Sequence, residues 1–88
     1  MAKNISFLES SATPEENSYD YRVEWDDYLI YNYGTKKVEH NGPGIKYYYK
    51  DFDGAWDCFC DLRRNPDYIR IRLIQIRSDG TEFVRDSK

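Results

Sequence analysis

Eighty-eight residues are enough for one small domain and exclude a multidomain enzyme. Sixteen acidic residues against thirteen basic ones leave a net charge of −3. No apolar run approaches the ~20 residues that cross a bilayer, and the first eight residues are too broken by polar side chains to form a secretory signal, so the expected setting is cytoplasmic.

Residues 9–18 have almost no apolar content and read as a flexible tether. Residues 1–18 are therefore expected to be an N-terminal segment outside the domain, with Ile5, Phe7 and Leu8 pinning a short strand at 5–8. Residues 19–25 alternate: Tyr19, Tyr21, Val23 and Trp25 point one way, and Asp20, Arg22 and Glu24 the other. A period of two is the mark of a half-buried strand. Asp26-Asp27 supplies a turn, and residues 28–33 read as a second strand ended by Gly34. In residues 35–44, Asn41-Gly42 and Pro43-Gly44 are turn pairs, and Val38 marks a short strand inside this stretch.

Residues 45–50 read as the next strand, with Ile45, Tyr47 and Tyr49 on one face and Lys46, Tyr48 and Lys50 on the other. Asp51 or Asp53 caps the helix that follows. Its core stripe is Phe52, Ala55, Trp56, Phe59 and Leu62, spaced by three and four, and Asn65-Pro66 stops it. Residues 68–77 form the strongest strand. Ile69, Ile71 and Leu73 hold one phase, Ile74 and Ile76 the other, and either a bulge at Leu73-Ile74 or burial of the strand on both faces at one end accounts for the slip. Asp79-Gly80 predicts a two-residue hairpin loop that sets Arg77 opposite Glu82 and Ile76 opposite Phe83. The domain then spans residues 19–85, with 86–88 as a polar tail. The order β-β-(β)-β-α-β-β predicts an α+β domain: a mostly antiparallel sheet of four or five strands with one amphipathic helix on one face.

The residues that carry common chemistries are sparse. His40 stands alone in a polar loop, and no nucleophile elbow, metalloprotease helix or phosphate loop occurs. Cys58 and Cys60 point to different sides of a helix, which opposes a disulfide between them, and two ligands do not make a zinc site. No cofactor, metal or catalytic set is expected, and the chain reads as a non-enzyme.

Charge and aromatics are more informative. Residues 1–34 hold two basic residues against seven acidic ones, −5, so the remainder is +2. Nine Tyr are more than one helix can cover, and Tyr and Trp suit interfaces because they join large area to few rotors. Glu24, Trp25, Asp26, Asp27, Tyr28 and Tyr31 are the expected partner-binding surface. A second reading places Lys46, Tyr48, Arg70 and Arg72 together on the open sheet face, where cations beside an aromatic hold nucleotides or single-stranded nucleic acid. Asp53, Asp57 and Asp61, four residues apart, form an acidic helix stripe whose mutual repulsion costs helix stability.

The run Asp51-Phe52-Asp53-Gly54-Ala55-Trp56, followed by Asn65-Pro66-Asp67-Tyr68, by residues 69–73 and by the Asp79-Gly80 turn, resembles a pattern in short bacteriophage proteins. There a capped helix with an Ala-Trp pair leads through Asn-Pro into a strand and an Asp-Gly hairpin. The chain's short, acidic, aromatic character is also similar to that of small phage inhibitors of bacterial defence, the anti-CRISPR proteins. The resemblance covers about a third of the chain and transfers no functional residue. It implies a protein that binds and blocks a host macromolecule in the host cytoplasm, such as a nucleic-acid enzyme or a defence complex. Self-pairing into a homodimer through a Tyr-rich uncovered face or edge is the remaining expectation.

Overall fold

Alternation gives the first strand its two faces. In the computed structural model, which describes residues 14–88, Tyr21 and Val23 are fully buried while Arg22 and Glu24 lie on the opposite side. That strand is β1, Asp20–Trp25. It is followed by β2, Asp27–Asn32, β3, Lys37–His40, and β4, Gly44–Tyr48. The helix α1 spans Phe52–Arg64, and β5, Tyr68–Ile69, β6, Arg72–Ile76, and β7, Glu82–Ser87, complete the chain. The α+β expectation holds, and every strand pair is antiparallel.

α1 forms as its stripe predicts. The Asp51 carboxylate accepts the Gly54 N–H at 2.9 Å, which caps the first turn. Arg63 and Arg64 stand at the negative end of the helix, and the Asn65 N–H closes it on the Leu62 carbonyl at 3.0 Å. Ala55 and Phe59 enter a core completed by Tyr21, Val23, Ile71 and Leu73.

The strands divide into two sheets, ordered β4-β1-β6-β7 and β3-β2-β5. The strand expected over residues 68–77 is therefore two strands, and the break has a local cause. Arg70 takes a left-handed φ of +51°, which a ladder cannot continue. β1 and β2 part at the same level, at Asp26. The register does not change across the gap: Glu24 pairs with Arg72 on one side and Asp27 with Ile69 on the other, which sets Asp26 opposite Arg70. One long two-stranded ribbon thus bends once. One half lies under α1, and the other half carries β3.

A register shift lies at Leu73/Ile74 between β6 and β7, but the extra residue is Arg85 of β7. β6 stays in step with β1 from Arg72 to Ile76, and the change of apolar phase reflects burial on both faces, with Leu73, Ile74 and Gln75 buried in succession. The following hairpin is one residue longer than expected. The Arg77 N–H donates to the Thr81 carbonyl and the Gly80 N–H to the Arg77 carbonyl, both at 2.8 Å, which leaves a three-residue loop with Gly80 at φ +90°. Ile76 consequently faces Glu82, and Gln75 faces Phe83. Of the segment read as a tether, Glu16–Ser18 form one 3₁₀ turn, whose Glu16 carbonyl accepts the Tyr21 hydroxyl at 2.7 Å; the strand expected at 5–8 lies outside the described residues. At the other end β7 runs into the expected tail, and the Lys88 N–H donates to the Ile71 carbonyl at 2.9 Å.

Gly44 shows how tightly the bend is packed. It pairs with Trp25, and a Cβ built there would lie 2.1 Å from the indole ring. Gly44→Ala is expected to displace Trp25 and cost about 1–3 kcal/mol, the usual range for overpacking. A chemical-denaturation midpoint equal to the parent's would contradict this packing.

Candidate functional site

The open face of the larger sheet, opposite α1, carries a ladder of ion pairs. Cross-strand partners share a face, so Arg22 and Glu24 of β1 lie beside Arg72 of β6. Arg22 Nε donates to Glu24 at 2.8 Å, and its two terminal nitrogens hold both Glu82 oxygens at 2.7 and 2.9 Å. Arg72 Nε reaches the other Glu24 oxygen at 2.9 Å, and its Nη2 reaches Asp26 at 2.7 Å. Arg70 Nε closes the row on Asp26 at 2.5 Å. Three guanidinium groups meet three carboxylates, so the row is neutral. Burial alone would raise the Glu24 carboxyl, yet the hydrogen bonds from Arg72 and Arg22 hold it below its ordinary range. Hydrogen bonds from Arg72 and Arg70 do the same for Asp26.

This ladder joins residues that the sequence assigns to two rival surfaces. Glu24 and Asp26 come from the acidic one, Arg70 and Arg72 from the basic one, and each set consumes the other's charge. Asp27 is committed elsewhere. Its carboxylate contacts His40 Nδ1 and accepts the N–H groups of Tyr28 at 2.8 Å and Gly42 at 2.9 Å, fastening the loop after β3 to the start of β2. The His40 contact is the largest cause of its lowered pKa. Trp25 lies against Gly44 and meets the Tyr68 ring edge-on at 5.3 Å, while Tyr28 stacks on Tyr68 at 4.4 Å. These three rings brace the bend.

The alternative quartet does not converge. Lys46 pairs with Val23 and Tyr48 with Tyr21, so both stand on the α1 side, whereas Arg72 stands on the open side. The Tyr48 hydroxyl is pushed up to about 12, first by burial and then by Cys58. The expected facing of residues 45–50 is thus reversed: Ile45, Tyr47 and Tyr49 are 52, 52 and 72 % exposed. Gly44 explains the reversal. Only a residue without a side chain fits beneath Trp25, and that puts positions 44, 46 and 48 on the inner side.

The uncovered apolar surface therefore lies elsewhere than expected. β2 and β3 form a two-stranded arm whose four β3 residues are all exposed. Tyr31, from the expected surface, is exposed and pairs with Val38, and its ring meets Tyr33 edge-on at 4.8 Å. Ile30 is exposed on the arm's other face. Asn32 shapes the tip by accepting the Gly34 and Thr35 N–H groups at 2.9 and 3.3 Å. The contribution of Tyr33 was not legible, because alternation alone does not distinguish a covered ribbon from a bare one.

A cleft of about 450 Å³ is lined by Glu15, Glu16, Tyr19, Gln75 and Arg85. Its cation is occupied: Arg85 donates to Gln75 at 3.1 Å and Glu16 at 2.9 Å and lies 5.0 Å over the Phe52 ring. Among the described residues no cluster of three His, Cys, Asp or Glu is set to hold a metal, and no helix is long and apolar enough to cross a membrane. Comparison with protein-family models, curated proteins and solved structures finds no match to this chain.

Proposed function

We propose that this chain is a non-enzymatic binding protein, an inhibitor or adaptor like the small phage proteins it resembles, and that it engages a host protein through its aromatic arm. The observation that carries this reading is the group Tyr31, Tyr33 and Val38, exposed by 46, 83 and 55 % on a ribbon that no second layer covers among the described residues. A two-stranded ribbon is marginal by itself in water, and apolar side chains on it gain from any surface that covers them. Tyrosine rings serve that purpose with few rotors to freeze and a hydroxyl for the rim. Lys36 and Lys37, exposed at the arm's end, favour a partner with carboxylates around an apolar patch. The neutral ladder contributes rigidity to this reading, not attraction.

The test is capture from a bacterial lysate with the parent and with a Tyr31→Ala, Tyr33→Ala, Val38→Ser variant. The parent is expected to retain a partner that the variant loses by about tenfold or more, since two truncated aromatic anchors remove more than 1.4 kcal/mol. Equal recovery by both would discard the arm as the binding surface.

A further inference from the structure

Sheet edges left bare pair with other strands, and proteins usually blunt them with charge, brevity or a bulge. Among the described residues, three of the four sheet edges are blunted. β7 has the register shift and carries Glu82, Arg85 and Asp86; three of the four β3 residues are Lys37, Glu39 and His40; β5 has two residues. β4, the outer strand of the larger sheet, has neither bulge nor brevity, and its only charge is Lys46. On its open face Ile45 and Tyr47 are half exposed, and Tyr49, just beyond the strand, stacks parallel to Tyr47 at 6.2 Å.

We infer that β4 pairs antiparallel with β4 of a second copy of this chain, about a two-fold axis at Tyr47. That register is self-complementary. It sets Tyr47 against Tyr47 of the second copy, Ile45 against Tyr49 of the second copy, and Lys46 against Tyr48 of the second copy. A two-fold at Lys46 would instead bring two ammonium groups face to face, which is destabilising. The charges one strand further in do not oppose the pairing, because Arg22, next to Tyr47 across the ladder, is already held by Glu24 and both oxygens of Glu82. An isologous contact of this kind closes as a dimer and leaves no free β4 edge for further growth. It joins the two larger sheets into one of eight strands, with the Tyr31–Tyr33 arm outside the contact.

Sedimentation equilibrium of the full chain, from low to high micromolar, is expected to give twice the 10.6 kDa chain mass at the upper end. Tyr47→Lys, at a half-exposed position, is expected to keep the far-ultraviolet circular dichroism of the parent and to raise the dimer dissociation constant by about tenfold or more. A chain that stays monomeric throughout, or a dimer indifferent to a folded Tyr47→Lys, would overturn the inference. Should that variant not fold, oxidation of Tyr47→Cys and Lys46→Cys decides. Tyr47→Cys is expected to form disulfide-linked dimers beyond the parent's level and Lys46→Cys is not; the reverse pattern, or no linkage from either, counts against the axis. The arm variant is expected to dimerise as the parent does, so failure here leaves the lysate result standing.

Discussion

Phe59→Ala is expected to lower the thermal midpoint by at least about 12 °C in unfolding followed by circular dichroism. Phe59 is fully buried at the centre of the face that α1 presents to the larger sheet. Its ring lies 5.8 Å from that of Trp56 and beneath the Arg63 guanidinium at 5.4 Å. Truncating a buried phenylalanine removes its transfer free energy and leaves a cavity, together about 3–5 kcal/mol. A domain of this size has only about 4–13 kcal/mol to lose, and each kilocalorie moves the midpoint by about 4–8 °C. Tyr33→Ala is the contrast. Tyr33 is 83 % exposed, and its truncation is expected to stay within about 0.5 kcal/mol. Equal effects of the two substitutions would mean that the helix is not the lid of the core.

Glu24→Gln is expected to cost about 1–3 kcal/mol at pH 7 and nearly nothing in acid. The charged carboxylate takes Nε–H groups from both Arg22 and Arg72, and hydrogen bonds to charged partners are worth more than neutral ones. The pH window follows from the direction of the shift. The folded carboxyl titrates below the unfolded value of about 4.3, so its contribution is complete above that pH and is lost as pH falls through the folded pKa. Urea midpoints of parent and variant should therefore differ most near neutrality and converge below about pH 4. Asp26 and Glu82 are lowered in the same direction by their arginine partners, so the parent itself should weaken in acid. A gap that stays constant with pH would show that Glu24 acts through packing alone.

Much of the fold was legible in the sequence because it is local. The alternation of residues 19–25, the three- and four-residue spacing from Phe52 to Leu62 and the Asp51 cap all record what the neighbouring chain does. The split into two sheets was not legible, since the left-handed turn at Arg70 faces Asp26, forty-four positions earlier. The same distance hid the fate of the charges. Glu24 beside Asp26 and Asp27 reads as an acidic patch until the register of β1 on β6 brings Arg72 alongside. Strand 45–50 was located but its faces were exchanged, because the deciding contact, Trp25 over Gly44, belongs to another strand.

The bent ribbon has a consequence for how the molecule folds. Residues 20–28 find their partners among residues 68–76, so β3, β4 and α1 all lie in the loop between the two halves. Chain closure of that length must precede most of the stabilising contacts, which makes folding slow for so small a chain. It also ties the two sheets to one event. β2 has β5 to pair with only once β1 has found β6, and a break in either half withdraws the frame of the other. The arm and the helical core, separate by layer, should then gain and lose protection from hydrogen exchange in a single cooperative step.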